Sequence, residues 1–125
     1  MEDLVRFGKC LADPSSVRVL SLLRDGELCI CELMATLQGS SSKLNRILKK
    51  LRELQIIKVG RHGHWLVYKV HPRYTDLVET VFETFKDSAD WDEQLTKDHN
   101  KLAELVSRRV DGWCAPLRQD LMVGT

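Results

Sequence analysis

With 125 residues, 43% of them hydrophobic and 30% charged, the chain suits one compact domain with a modest core and argues against a second independent domain. Only 6% of residues are aromatic, so Leu, Val and Ile must build the interior, a composition common in helical domains. The net charge of +1 hides an asymmetry: residues 1–73 hold 13 Lys+Arg against 7 Asp+Glu, and residues 74–125 hold 6 against 11.

No apolar run approaches the roughly 20 residues that cross a bilayer, and Met1-Glu2-Asp3 lacks the basic region of a secretory signal. A cytoplasmic location without membrane contact is therefore expected. Four cysteines in such a chain read as reduced thiols, packed or metal-binding, more readily than as a disulfide framework.

In chain order, Leu4, Phe7 and Leu11 mark a first helix, ended by Asp13-Pro14, where proline opens the next helix at a position that needs no N–H. Val17, Val19, Leu20 and Leu23 carry that second helix, which stops near Asp25-Gly26. From Cys29 to Leu37, apolar Ile30, Leu33, Met34 and Leu37 give a short third helix, with Met34 read as core. Gln38-Gly39-Ser40 reads as a turn. Leu44, Ile47, Leu48, Leu51 and Leu54 then form the most regular apolar stripe of the sequence, with Ser41 or Ser42 able to cap its start.

After Gln55 the period changes to that of strands: Ile56 to Val59 and Trp65 to Val70 flank Gly60-Arg61-His62-Gly63-His64, a hairpin pattern. Leu77, Val78, Val81, Phe82 and Phe85 mark a fifth helix, and Trp91, Leu95, Leu102, Leu105 and Val106 a longer sixth, with a break and cap at Ser88 to Asp90. This order predicts a mainly α fold with a small β-hairpin, a winged helix-turn-helix with extra terminal helices forming a dimer. The domain is expected over residues 1–110, including the dimerisation helices, followed by an irregular tail over 111–125.

Residues 41–69 carry eight basic side chains and one acid, Glu53, a stretch that would draw a polyanion. A Lys/Arg-rich amphipathic helix standing alone is more often a plain solvated surface, but here a short helix and tight turn precede it and a basic hairpin follows. Ser41, Ser42, Lys43, Asn45 and Arg46 supply groups that hydrogen-bond base edges, while Lys49 and Lys50 are better placed for phosphates. Arg61, His62 and His64 at the hairpin tip would reach the adjacent backbone or minor groove. Double-stranded operator DNA is the expected partner.

Cys29-Ile30-Cys31 offers two soft ligands at i and i+2. On a regular helix they would point about 200° apart, so both reach one ion only if the first turn opens into an extended form. Such opening would deform the helix beneath the DNA-reading helix. Glu27 is expected to raise the thiol pKa values and the helix N-terminus to lower them. Cys10 reads as packing beside Phe7 and Leu11; Cys114, next to Trp113, is a candidate third thiolate. Asp98, His99 and Glu104 lack the i, i+3 or i+4 spacing of a helical zinc site, and none is expected there.

Through Leu11-Ala12-Asp13-Pro14, Glu27-Leu28-Cys29-Ile30-Cys31-Glu32-Leu33, Leu44-Asn45-Arg46-Ile47-Leu48 and Gly63-His64-Trp65-Leu66-Val67-Tyr68, the chain resembles the ArsR/SmtB family of metal-responsive repressors over about residues 4–70. The Glu-Leu-Cys-x-Cys-Glu-Leu element is similar to the family's arsenite and antimonite sensor. The resemblance implies a dimeric, non-enzymatic repressor of a metalloid-resistance operon, induced by As(III) or Sb(III) at Cys29 and Cys31 and needing no organic cofactor. Met34 occupies the place where arsenite-binding members often carry a third cysteine, and Gln55 that of the glycine usually closing the recognition helix. The third ligand stays open between Cys114 and Cys10. Related cadmium and lead sensors add cysteines from a longer N-terminal arm, which favours arsenic or antimony here over a Cd/Pb/Zn sensor. A redox or persulfide switch on the same fold is the remaining alternative. A thiol oxidoreductase would need Cys-x-x-Cys, which the sequence lacks.

Overall fold

A computed structural model describes residues 1–86 and 89–109. The predicted tail 111–125, Cys114, the Ser88 break and the Trp91 side chain lie outside the described residues. Among the described residues, six helices and a three-stranded antiparallel sheet follow one another as α1 (Glu2–Leu11), α2 (Pro14–Leu23), β1 (Leu28–Cys29), α3 (Ile30–Leu37), α4 (Ser41–Glu53), β2 (Ile57–His62), β3 (Trp65–Val70), a 3-10 turn (Pro72–Tyr74), α5 (Thr75–Phe85) and α6 (Ala89–Ser107).

The start of α2 follows from local chemistry. Asp13 is its N-cap, with Oδ1 accepting the Ser15 N–H at 3.0 Å, and Pro14 occupies the first turn. Val19, Leu20 and Leu22 of α2 are fully buried and meet Leu33 of α3, Leu48 and Leu51 of α4, and Phe82 of α5 in one core. Each such side chain contributes about 1.5–3 kcal/mol relative to exposure. Phe7 of α1 stacks on Tyr74, ring centroids 5.6 Å apart, which ties the first helix to the turn before α5.

Helix α4 is capped by Ser40, ahead of both Ser41 and Ser42, the two serines the sequence suggested: Ser40 Oγ accepts the Lys43 N–H at 3.1 Å. Its far end closes as a Schellman motif, with Ile56 N–H donating to the Leu51 carbonyl at 3.0 Å and Gln55 N–H to that of Arg52 at 2.9 Å. Gln55 pays for this geometry with a left-handed φ of 59°.

The hairpin is tighter than expected. β2 runs through Gly60 to His62, which pairs with Trp65, so the loop is only Gly63-His64, and Gly63 takes a φ of 66°. The sheet also has a third strand that alternation could not reveal. Leu28 and Cys29 pair with Tyr68 and Val67, making the order β1-β3-β2.

Candidate nucleic-acid interface and thiol site

On α4 the apolar stripe Leu44, Ile47, Leu48 and Leu51 faces the core, so the opposite face is left to water. Ser41, Ser42, Lys43, Asn45, Arg46, Lys49 and Lys50 are all exposed on it, and Arg61, His62 and His64 are exposed at the hairpin tip. Among the described residues, none of the seven α4 side chains has a hydrogen-bond or ion-pair partner; the cap bond at Lys43 uses its backbone N–H. A cationic face with uncommitted donors suits phosphates and base edges.

Helices α2, α3 and α4 meet around a groove lined by Arg18, Met34, Leu37, Lys43 and Ile47. Met34 is therefore not the core residue the periodicity implied. It remains 36% exposed at the rim, because α3 is only two turns long and its buried face is Cys31, Glu32, Leu33 and Thr36.

The sulfur pair departs from its expected geometry in an informative way. Cys29 does not belong to α3; it is the N-cap, with an extended backbone at φ −81° and ψ 161°. Cys31 stands in the first turn. The 200° divergence of two helical neighbours does not apply, and the Sγ atoms converge to 2.7 Å without any opening of the helix. Both residues are buried, in a small cluster of their own at the junction of β1 and α3.

Glu27 is not the carboxylate that touches this pair. Its side chain is exposed and approaches Lys69 Nζ at 4.0 Å. The buried carboxylate is Glu32, 1% exposed, whose Oε1 accepts the Cys29 N–H at 3.1 Å. Arg109 pairs with it through two bonds of 2.7 Å, from Nε to Oε2 and from Nη2 to Oε1, and Nη2 also donates to the Glu27 carbonyl at 3.0 Å. Hydrogen bonding to Glu32 holds the guanidinium above its usual pKa, against the opposing effect of burial. Sequence reasoning quoted Glu32 only as part of the Glu27–Leu33 element, gave it no role of its own, and did not name Arg109. The only available signal for Glu32 was its place three residues after an N-cap, and nothing linked it to a residue 77 positions away.

Cys10 lies in the main core, fully buried and apart from the sulfur pair, and burial pushes its thiol up while nearby Lys50 pulls it down. Asp98 and His99 are engaged by α2: Arg18 forks onto Asp98, and Ser21 Oγ lies 2.9 Å from His99 Nε2. Among the described residues, no group of three or more His, Cys, Asp or Glu side chains is assembled to hold a metal ion.

A model of the bacterial regulatory protein arsR family matches residues 13–59, from the α2 cap into the wing. The chain is 39% identical over 101 residues to the arsenic resistance transcriptional regulator ArsR1 of Pseudomonas putida, covering 80% of this chain and 77% of that protein. It is 31% identical to the arsenical resistance operon repressor of Staphylococcus xylosus, over 62% of this chain and 74% of the relative. The fold is shared with HlyU from Vibrio cholerae, with a TM-score of 0.63 at 22% identity over 69% of this chain and 95% of that one. It is likewise shared with the homodimeric winged helix-turn-helix DNA-binding domain Mb0332 from Mycobacterium bovis, with a TM-score of 0.59 at 23% identity over 72% and 84% of the two chains. An exposed cationic helix beside a β-wing, a close sulfur pair at the head of the supporting helix, and relatives of this similarity lead to one assignment: the chain belongs to the arsR family of bacterial transcriptional regulators, which act by binding DNA and not as enzymes.

Proposed function

We propose that the chain represses an arsenical-resistance operon as a homodimer and leaves its operator when As(III) or Sb(III) is bound by Cys29 and Cys31. The observation that carries this reading is the convergence of the two sulfurs at the N-cap of α3, the helix that precedes the DNA-facing α4. Two adjacent thiolates are suitable donors for a soft trivalent ion. Coordination at this point acts on two elements together, since Cys29 both caps α3 and pairs with Val67 of the wing strand β3. This replaces the helix-opening mechanism expected from the sequence, because the donors already meet. The names of the relatives as arsenic resistance regulators support the choice of ion.

A third sulfur would come from Cys114. It follows Arg109 by five residues, a reach of at most about 17 Å, and Arg109 is anchored at the sulfur pair. Cys10 is committed to the core. Exposed Leu4 and Val5 on α1, with Leu77 and Phe85 on α5, support burial against a second copy.

The test is a titration of arsenite, antimonite, cadmium and zinc into protein bound to a duplex it has selected from a random pool, under strong reductant. Release by arsenite or antimonite is expected, with Cys29→Ser and Cys31→Ser proteins still binding the duplex but no longer releasing it. Retention of the duplex at saturating arsenite would overturn the proposal. Release that vanishes under reductant and returns with oxidant would instead establish the redox reading.

A further inference from the structure

We propose, resting on the reading that Cys29 and Cys31 take the inducer, that Arg109 is the positioning residue through which the occupied sulfur pair acts on helix α6. One planar guanidinium brackets the whole cysteine segment. It donates to the Glu27 carbonyl before the pair and to both oxygens of Glu32 after it, and Glu32 in turn accepts the Cys29 N–H. A two-bond Arg–carboxylate fork is directional as well as strong, so it resists sliding in a way that one lysine contact would not.

Arg109 is itself held to the end of α6, its N–H donating to the Val106 carbonyl at 3.1 Å. Helix α6 then packs along α3 and α2, where Arg18–Asp98 and Ser21–His99 fasten it. Arsenite condenses with two thiols, each S–H proton leaving with an arsenic hydroxyl as water while an S–As bond forms, so the pair gains an arsenic atom between its sulfurs with no net change in charge. An atom bonded to both sulfurs, which stand 2.7 Å apart without it, must spread the Cys29–Cys31 segment, and the displacement reaches Glu32, almost wholly buried and bonded to the Cys29 N–H. The fork therefore either shifts with the segment or breaks, and in both cases the end of α6 follows.

The experiment compares the full chain with Arg109→Gln, Arg109→Lys and the double variant Glu32→Gln/Arg109→Gln, which leaves no unpaired buried carboxylate. Arsenite binding is read by sulfur–arsenic ultraviolet absorption, duplex affinity with and without saturating arsenite, and stability by thermal midpoint. The Arg109→Gln protein is expected to bind arsenite and, without arsenite, to hold the duplex within about threefold of the unaltered chain, while its arsenite-driven loss of affinity shrinks about tenfold. The lysine variant should recover part of that loss, and the double variant should regain thermal stability without regaining release. Equal release by Arg109→Gln and the unaltered chain would overturn the proposal. So would a double variant that regains release together with stability, since the fork would then be purely structural. Failure of the unaltered chain to release its duplex strikes the proposed function instead.

Discussion

Arg18 on α2 and Asp98 on α6, 80 residues apart in sequence, form a fork in which Nε reaches Oδ2 at 2.8 Å and Nη2 reaches Oδ1 at 2.9 Å. Gln94, one turn earlier on α6, also donates to Asp98 Oδ1 at 3.1 Å, so the buried carboxylate is well supplied with donors. The arginine keeps 28% of its side chain exposed, and its share of the interaction is screened accordingly. Asp98→Ala should lower unfolding free energy by about 2 kcal/mol in urea melts. A change below about 0.5 kcal/mol, the usual size of a surface substitution, would show that packing alone joins the two helices.

Gln55 sits at the left-handed position of the α4 Schellman motif with a φ of 59°. A side chain there costs roughly 1–2 kcal/mol, offset in part by the greater unfolded-state freedom of glycine. The Gln55→Gly protein is expected to gain about 1 kcal/mol in chemical denaturation. A lower midpoint than that of the unaltered chain would mean that the glutamine makes a compensating contact.

Glu79 of α5 is paired with Arg24, the C-cap of α2, and that hydrogen bond holds its carboxyl below the usual carboxylate range. A depressed pKa in the folded chain means that the pair stabilises above the unfolded carboxylate value and that this contribution is lost as pH falls through the folded one. Half of the Glu79 side chain is exposed, which limits the effect to about 0.5 kcal/mol. The stability gap between the unaltered chain and Glu79→Gln should close between pH 7 and strongly acid solution. A gap of constant size across that range would remove the pair as its source.

On the exposed face of α4, Arg46→Ala is expected to weaken duplex binding by about 1–3 kcal/mol and relax base preference at one position. Lys49→Ala should weaken all duplexes alike and lower the salt-dependence slope by about one. Electrophoretic or fluorescence titrations at several salt concentrations separate the two. Identical slopes and unchanged preference in both variants would place the reading surface elsewhere.

The 3.6-residue recurrence of Leu44, Ile47, Leu48 and Leu51 was enough to place α4 and to say which of its side chains would be exposed. Asp13-Pro14 likewise announced the start of α2, and the shift to alternating β-branched residues announced the wing. Less was legible where two local preferences competed. The apolar spacing of Ile30, Leu33 and Leu37 pulled Cys29 into the helix, whereas pairing of its backbone with Val67 holds it extended.

From its own order of residues, this protein determines its helices, its hairpin and the cationic face that DNA would meet, because each depends on neighbours a few positions apart. The tertiary structure alone decides that Cys29 and Cys31 converge, that Glu32 is buried with the Cys29 N–H bonded to it, and that Arg109 pairs with Glu32. Periodicity does not relate these residues: pairing with Val67 sets the extended Cys29, and the Glu32–Arg109 contact exists only once the packing of α6 on α3 has brought the end of one helix to the head of another.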